Sequence, residues 1–271
     1  TKFNIGRLPC IMISAKSLVG ALVAVLFCGA SFAQGPTDTT FARDSVQIRQ
    51  VFDEVLMHAQ AHENLRHLCK EIGHRLSGSK SAQQAMDWGL DVLRDHGADT
   101  TYIMPVEVPS WTRGSVADAH AILPNGQDMA LHITALGGSD PTPAGETIEG
   151  PLLVVRHLDA LDTLDATGHI VLFNRAMDPL LINTGAAYGG AYDQRGNGAV
   201  AAAKAGAVGV LVRSLTHALD TLPHTGSMRY AEDVSRIPAA ALSTVDASAL
   251  SKAYAQARER DQTVVVRMRM D

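Results

Sequence analysis

A histidine and an aspartate two residues apart follow an apolar run that is typical of a buried strand. The pair is His157 and Asp159, and the apolar run covers residues 152–155. Side chains alternate along an extended chain, so residues two apart face the same side and could share one metal ion. The residues that follow, 160–165, favour a helical turn over a Gly-rich loop with a bridging carboxylate. We therefore interpret the pair as an exposed strand end.

Three other histidines lack the partners that catalysis needs. His58 and His62 are four residues apart on one predicted helix face, but Ala59 stands where a metalloprotease helix carries its catalytic Glu. His224 lies in a predicted loop, with no Ser and Asp pattern that would complete a triad. The chain also lacks a Gly-x-Ser-x-Gly nucleophile elbow. We interpret the first two as solvated side chains and assign no catalytic role to the third.

A glycine motif at residues 196–201 matches the Gly-x-Gly-x-x-Ala form of a dinucleotide fingerprint. That mechanism requires a strand that ends just before the first glycine, so that the following helix begins at the pyrophosphate. The preceding predicted strand ends near Phe173, and the next one ends with Arg213 rather than with an acid. A turn and close packing of a helix on a sheet explain the glycines. A nucleotide-binding α/β protein stays open as a third hypothesis.

The amino-terminal residues have the pattern of a secretory signal peptide. An apolar run at 18–28 follows Lys16, and small residues precede a cleavage point after Ala33. The run is too short to span about 30 Å of hydrocarbon, which argues against a membrane anchor. Phe27 argues against lipid attachment at Cys28. The pattern predicts a secreted or periplasmic protein.

Cysteine use fits a periplasmic or extracellular protein whose stability comes from its core rather than from disulfide bonds. Cleavage after Ala33 would remove Cys10 and Cys28 and leave Cys69 alone, so no internal disulfide is expected. Cys69 occupies an apolar position of a predicted helix. We predict a buried structural thiol rather than a nucleophile there.

The composition is that of a globular protein and excludes several function classes. The chain has 271 residues, of which 46% are hydrophobic and 19% are charged. These values exclude a disordered or collagen-like chain. The net charge of −5 comes without a basic patch, which argues against a nucleic-acid partner.

Hydrophobic periodicity predicts an α/β protein with a mixed sheet. A β-strand, helix and β-strand order within 168–212 predicts one βαβ unit. Pro238 predicts that the strand around it is an edge strand, and the last strand has no visible partner nearby. Helices are predicted at 41–72, 81–96, 199–206 and 246–258, strands at 101–108, 116–123, 152–155, 170–173, 208–212, 237–242 and 263–270, a Gly-rich lead-in at 185–198 and a linker at 137–150.

Several longer motifs, taken together, resemble one family. Residues 72–79, 85–88 and 106–114 resemble the amino-terminal part of the carboxypeptidase Q-like (plasma glutamate carboxypeptidase-like) two-zinc exopeptidases. The middle of the chain is similar to the protease-associated domain that is inserted in those enzymes. The stretches that match this domain are 168–174, 198–214, 223–226 and 237–243, and the resemblance runs from about 42 to 270.

The resemblance implies a specific domain organisation. Residues 1–33 would be the signal peptide with upstream residues, and 34–124 the amino-terminal part of the peptidase domain. Residues 125–259 would form the protease-associated domain, a mixed-sheet insertion after the first helices and strands of an α/β zinc exopeptidase. Residues 260–271 would be a strand that returns to a peptidase domain that is incomplete here.

The resemblance also implies the function of the whole enzyme: hydrolysis of dipeptides or short peptides with two zinc ions. In the family the zinc ligands follow the inserted domain, a region that would begin beyond Asp271. We therefore assign no catalytic and no metal-binding residue to this chain, expect it to bind no zinc and to be inactive alone, and leave substrate-binding residues unknown.

The expected partners are a peptide substrate of the full-length enzyme and, as one option, a second copy in a homodimer. No nucleic acid is expected, and no membrane after signal cleavage. The alternative is a free-standing, secreted protease-associated-like module that binds peptides or a partner protein.

Overall fold

The computed structural model describes residues 39–271, so the predicted signal peptide lies outside the described residues. Two compact units divide the chain, with the boundary after Gly73. In the first unit, helix α1 (Thr39–His58) and helix α2 (Ala61–His67) are followed by a π-helical turn, Leu68–Ile72. The helix predicted at 41–72, for which the sequence indicated an interruption at Ala59 or His62, is interrupted at residues 59–60. It ends where Gly73 adopts a positive φ of 78°. None of the described helices is long and apolar enough to cross a membrane.

The second unit begins with helix α3 (Lys80–Asp95), which confirms the helix predicted at 81–96. The hydroxyl of Ser79 caps its first turn by accepting a hydrogen bond from the backbone N–H of Ala82 at 3.1 Å. Gly97 follows the helix with a φ of 83°, a conformation that glycine adopts without strain. Both ends of this helix are therefore encoded locally.

The strand predicted at 101–108 is wrong. Residues 101–114 run as irregular chain, with no ladder to any strand among the described residues. Apolar side chains alternate here, but Tyr102, Met104 and Val106 are all more than two-thirds exposed. Alternation predicts an extended chain, whereas a strand also needs a hydrogen-bonding neighbour, which this segment does not have in the described structure.

Eight strands form one mixed sheet in the order β2-β1-β8-β4-β5-β6-β7-β3. Strands β4 to β7 are parallel to one another, and the remaining pairs are antiparallel. The strands are β1 (Ala117–Ile122), β2 (Asp128–Leu131), β3 (Ile133–Ala135), β4 (Ile148–Val155), β5 (Ile170–Phe173), β6 (Gly209–Arg213), β7 (Ala239–Leu242) and β8 (Val265–Met270). The predicted α/β class with a mixed sheet is confirmed, whereas β2 and β3 were not predicted.

The predicted βαβ unit is confirmed, with two helices in its crossover. Helix α4 (Thr184–Gly196) and helix α5 (Gly198–Lys204) connect the parallel strands β5 and β6. The Gly-rich stretch at 185–198, predicted as a lead-in to a helix, is itself mostly helical. Asn183 caps α4 by accepting a hydrogen bond from the backbone N–H of Ala186 at 3.1 Å, which helps a glycine-rich helix to start.

Two predictions about the sheet edges are wrong. Strand β7 is not an edge strand, because β3 pairs with its outer side. Pro238 precedes the strand, so its missing N–H removes no bond from the ladder. Strand β8 does have partners: it lies between β1 and β4, antiparallel to both. Both partners precede it by more than a hundred residues, a distance over which sequence patterns do not reveal pairing.

The predicted linker at 137–150 is also wrong, since much of it is integral to the fold. Thr142 is fully buried, and its hydroxyl donates to the backbone carbonyl of Met270 at 2.9 Å. Strand β4 already begins at Ile148. The Gly, Pro and Thr content reflects turns that pack against β8, and not a flexible connection.

The two faces of the sheet pack against separate apolar clusters. One cluster includes Leu172, Leu211 and Met268 and buries one side of helix α6 (Thr244–Arg258). The other includes Phe173 and Val212 and buries helix α5. The helix predicted at 246–258 is confirmed as α6.

The strands at the two edges of the sheet, β2 and β3, are separated along the chain by His132 alone. The sheet must therefore curl so that its edges meet at this residue. The buried carboxylate of Asp246, at the start of α6, contacts both the backbone N–H and the ring Nδ1 of His132 within hydrogen-bonding distance, each at 2.8 Å. These contacts fix the corner of the sheet to the helix.

Candidate functional site

The histidine and aspartate at the end of β4 do not form a metal site. His157 is exposed, and its Nδ1 accepts a hydrogen bond from the guanidinium of Arg175 at 2.8 Å. Asp159 lies in a short 3-10 helix, Leu158–Asp162, and is exposed. The predicted exposed strand end is confirmed. Within residues 39–271, no three His, Cys, Asp or Glu side chains come together as ligands for a metal ion.

The other histidines lie in positions that solvent reaches. His58 and His62 are solvated, as predicted, and the His58 ring contacts Glu54 at 3.0 Å. His224 is held through its backbone, whose N–H donates to the hydroxyl of Ser214 at 2.8 Å. Its ring lies 4.0 Å from the carboxylate of Asp220.

The prediction of a buried thiol at Cys69 is wrong, because this residue is exposed. It lies in the π-helical turn Leu68–Ile72. A π turn inserts an extra residue, which shifts the helical phase on which the sequence prediction relied.

The glycine motif at 196–201 serves packing, as predicted. Gly196 ends α4 and Gly198 begins α5, so no strand leads into the first glycine as a dinucleotide site would require. A Cβ on Gly198 would lie only 2.9 Å from Cε2 of Phe173. The glycine lets helix α5 approach the sheet closely, and this geometry argues against the nucleotide-binding hypothesis.

Polar side chains gather where the parallel strands end. Strands β4, β5, β6 and β7 all run in the same direction, so their carboxyl ends form one edge of the sheet, which we call the carboxyl edge. In open α/β sheets, ligands bind outside this edge. Three buried or half-buried arginines, Arg175, Arg195 and Arg213, lie on or beside the carboxyl edge.

Two of these arginines have clear compensation for their charge. The guanidinium of Arg175 forms an ion pair with Asp193. The fully buried Gln194 holds the backbone of Arg175 by exchanging two hydrogen bonds with it, at 3.1 and 2.7 Å. The guanidinium of Arg195 lies over the rings of Tyr188 and Tyr192, with its Cζ 5.3 and 5.0 Å from their centres.

Arg213 differs, because its partners are neutral. It is the last residue of β6 and only 8% exposed, and its Nη1 donates to Oδ1 of Asn174 at 3.1 Å and to Oγ of Ser248 at 2.9 Å. Burial lowers the pKa of this guanidinium, and no acid among the described residues counters that effect. The sequence carried one sign of this feature: a basic residue ends an otherwise apolar buried strand.

A second charged group lies on strand β1. The ring of His120 contacts the carboxylate of Asp128 at 2.7 Å and that of Asp118 at 3.5 Å. The hydrogen bond to Asp128 is the main cause that raises the pKa of His120 above its ordinary value of 6.5. The pairing therefore stabilises the fold fully below pH 6.5, and this contribution is lost as the pH rises through the folded pKa.

We expect Asp128→Asn to bring the pKa of His120 back toward 6.5. Titration of the ring proton by nuclear magnetic resonance would measure this directly. Asp118→Asn is the matched control and should move the pKa less, since Asp118 contributes less. Equal pKa values in the wild type and the Asp128 variant would contradict the assignment.

Comparisons with known proteins relate this chain to a peptidase family. No family model matches the chain. Among solved structures, the chain is similar to a peptidase M28 precursor from Shewanella amazonensis, with a TM-score of 0.73 and 33% identity. The match covers 82% of this chain and 49% of that one. The chain is thus a relative of the peptidase M28 family over this segment.

The similar curated proteins are carboxypeptidase Q proteins. Identity is 34% to the one from Xenopus laevis, over 78% of this chain and 42% of the relative. Identity is 30% to the carboxypeptidase Q from Bos taurus, over 89% of this chain and 50% of the relative. It is 33% to the human protein, over 71% of this chain and 39% of the relative. The chain is therefore a relative of carboxypeptidase Q, as its motifs predict, and it spans about half the length of these relatives or less.

Proposed function

We propose that this chain is the amino-terminal part of a secreted, zinc-dependent exopeptidase that hydrolyses dipeptides or short peptides. The observation that carries the proposal is the 34% identity to a carboxypeptidase Q over 213 residues, which correspond to 42% of that relative. The M28 structure supports it, because the chain again matches about half of a longer peptidase. Secretion rests on the signal peptide predicted at residues 1–33.

Within this proposal the sheet-containing part of the chain is the inserted protease-associated domain. The sequence predicts this domain at 125–259, between the amino-terminal peptidase part at 34–124 and a returning strand at 260–271. Strands β1 and β8 fall outside those bounds, yet they pair with each other, and β8 pairs with β4. We therefore extend the proposed inserted domain to about residues 116–271, since few contacts cross a domain boundary and these strands are joined by hydrogen-bonded ladders.

The described residues do not fit the two zinc ions that the family implies. They bring no three metal-ligating side chains together in residues 39–271. A two-zinc site needs several carboxylate and imidazole ligands around a shared centre. The zinc ligands of the proposed enzyme would therefore come from outside the described residues, and we derive no catalytic step from this chain's side chains.

We expect residues 34–271 to show no zinc-dependent hydrolysis of dipeptides, whereas a product of the same gene that continues beyond Asp271 hydrolyses them and loses the activity to a chelator. Release of free amino acids from a panel of dipeptides would measure both proteins. Zinc-dependent turnover by residues 34–271 would contradict the proposal. A gene that stops after Asp271 would instead favour the free-standing binding module.

A further inference from the structure

The guanidinium of Arg213 has one edge in use and one edge without a partner among the described residues. Both of its hydrogen bonds leave from Nη1, toward Asn174 and Ser248. The Nε atom is buried and has no hydrogen-bond partner within the described part of the chain, as is also true of Nε in Arg175 and Arg195. The edge formed by Nε and Nη2 is the one that arginine uses for two parallel hydrogen bonds to a planar anion.

A buried cation with only neutral partners is costly and is rarely left without a counter-charge. The two neighbouring arginines show how this chain normally meets that need: Arg175 has Asp193, and Arg195 has two aromatic rings. Arg213 has neither within residues 39–271, although it is only 8% exposed. A counter-charge for Arg213 would then come from another molecule or from residues outside the described chain.

We propose that Arg213 anchors a carboxylate-binding site at the carboxyl edge of the sheet, on the face that α6 covers. A carboxylate matches the unused edge because its two oxygens lie in one plane at the spacing of Nε and Nη2. Asn174 and Ser248 hold Nη1 and so orient the guanidinium before a ligand arrives. Since Nε is shielded from solvent, a ligand reaches it only when the side chains around it move.

The loops that follow β5 and β6 at the carboxyl edge carry exposed apolar side chains. The loop after β5 presents Leu180, 86% exposed, above a turn that Asp178 closes by accepting from the Leu180 N–H at 2.9 Å. The loop after β6 presents Leu222, 66% exposed, above a similar turn closed by Asp220 at 3.0 Å. An anion with an apolar substituent therefore fits this edge better than a bare anion, and the ligand class is an apolar amino acid or peptide carboxylate.

The test uses the chain labelled with ¹⁵N and follows the Nε–H signal of Arg213, identified by its absence in Arg213→Lys. The probes are N-acetyl-leucine, its uncharged amide, acetate, and an N-acetyl-glutamate whose α-carboxylate is amidated. We expect N-acetyl-leucine to shift the signal saturably and the amide to bind about tenfold more weakly or not at all, as expected for loss of a charge-assisted hydrogen bond. Acetate tests whether any small acid binds, and the amidated N-acetyl-glutamate tests whether a side-chain carboxylate binds. The two probes thus distinguish these ligands from a terminal carboxylate.

Calorimetric titration of variants gives the second readout. Arg213→Lys keeps the charge but loses the two-pronged edge, so N-acetyl-leucine should bind it about tenfold more weakly or not at all. Arg267→Lys is the matched control, because Arg267 is exposed and already paired with Glu149 at 2.5 Å; its affinity should not change. The proposal does not depend on peptidase activity, so its failure and that of the proposed function are separate results.

Three results would overturn the proposal: no saturable shift with any carboxylate, equal binding of the acid and its amide, or unchanged binding by Arg213→Lys. If Arg213→Lys does not fold, assignment of the Nε–H signal through its bonded neighbours lets the wild-type titration decide alone. A saturable shift by the acid, with the amide about tenfold weaker or without effect, then supports the site, and no shift or equal binding of the two contradicts it.

Discussion

Replacing Phe173 by Ala is expected to lower the free energy of unfolding by about 3–5 kcal/mol. Phe173 is fully buried at the end of β5, between β4 and β6. Its ring lies against α5 so closely that only a glycine fits opposite it, at position 198. The neighbouring strands are held by ladders on both sides and cannot move in to fill the space. The substitution therefore leaves a cavity and also removes apolar contact area.

Unfolding by urea, followed by circular dichroism, would measure this loss. Leu180→Ala is the matched control, since Leu180 is 86% exposed. Its truncation should change stability by less than about 0.5 kcal/mol. Similar midpoints for the wild type and the Phe173 variant would mean that α5 does not pack on β5 as described. The result also bears on ligand binding, because β5 leads directly into Asn174, which orients Arg213.

A second large loss of stability is expected from Gly150→Ala, about 1–3 kcal/mol. A Cβ at this position would lie 2.3 Å from the backbone carbonyl oxygen of Gly168. This backbone oxygen cannot move away from the added Cβ as the end of a flexible side chain could. Strand β4 is also fixed on both sides, since Gly150 pairs with Val266 of β8 and Leu152 pairs with Ile170 of β5. The strain must then be relieved by distorting the centre of the sheet.

The control is another glycine, whose replacement by alanine should raise stability rather than lower it. Gly190 lies within α4, and a Cβ added there would meet no atom from outside its own helix within 4 Å. Gly190→Ala should raise stability by about 0.5–1 kcal/mol, because alanine loses less backbone entropy on folding. Thermal unfolding of both variants tests the pair. A Gly150 variant as stable as the Gly190 variant would contradict the close approach of β4 to residue 168.

The sequence predicted best those elements whose signals are local. The apolar run 170–173 coincides with β5 because a strand buried on both faces needs no alternation. The pattern of apolar residues along the chain predicted helices α3 and α6. The structure adds a local cap at the start of each: Ser79 accepts a hydrogen bond from the first turn of α3, and Ser243 does so for α6 at 3.0 Å. The packing role of Gly198 was also predicted correctly.

The errors about the sheet arose where long-range pairing decides the outcome. Residues 101–108 alternate like a strand but have no neighbour to pair with in the described structure, whereas residues 265–270 looked unpartnered and have two. Burial of the 137–150 segment depends on a contact between Thr142 and Met270, which are 128 residues apart. Such contacts leave no periodic trace near either residue, because the hydrogen bonds of a sheet join strands regardless of their separation along the chain.

For the candidate site, too, the sequence and the tertiary structure supplied different information. The sequence by itself determined the family relationship, the α/β class, the buried parallel strands and the absence of a recognisable catalytic motif, because each of these resides in residue types at short spacing. Only the tertiary structure brought Arg213, Asn174 and Ser248 together from two strand ends and a helix. It also showed that the guanidinium is buried with no acid beside it from the described part of the chain. Charge compensation depends on distances between elements, and no local pattern of residues records those distances.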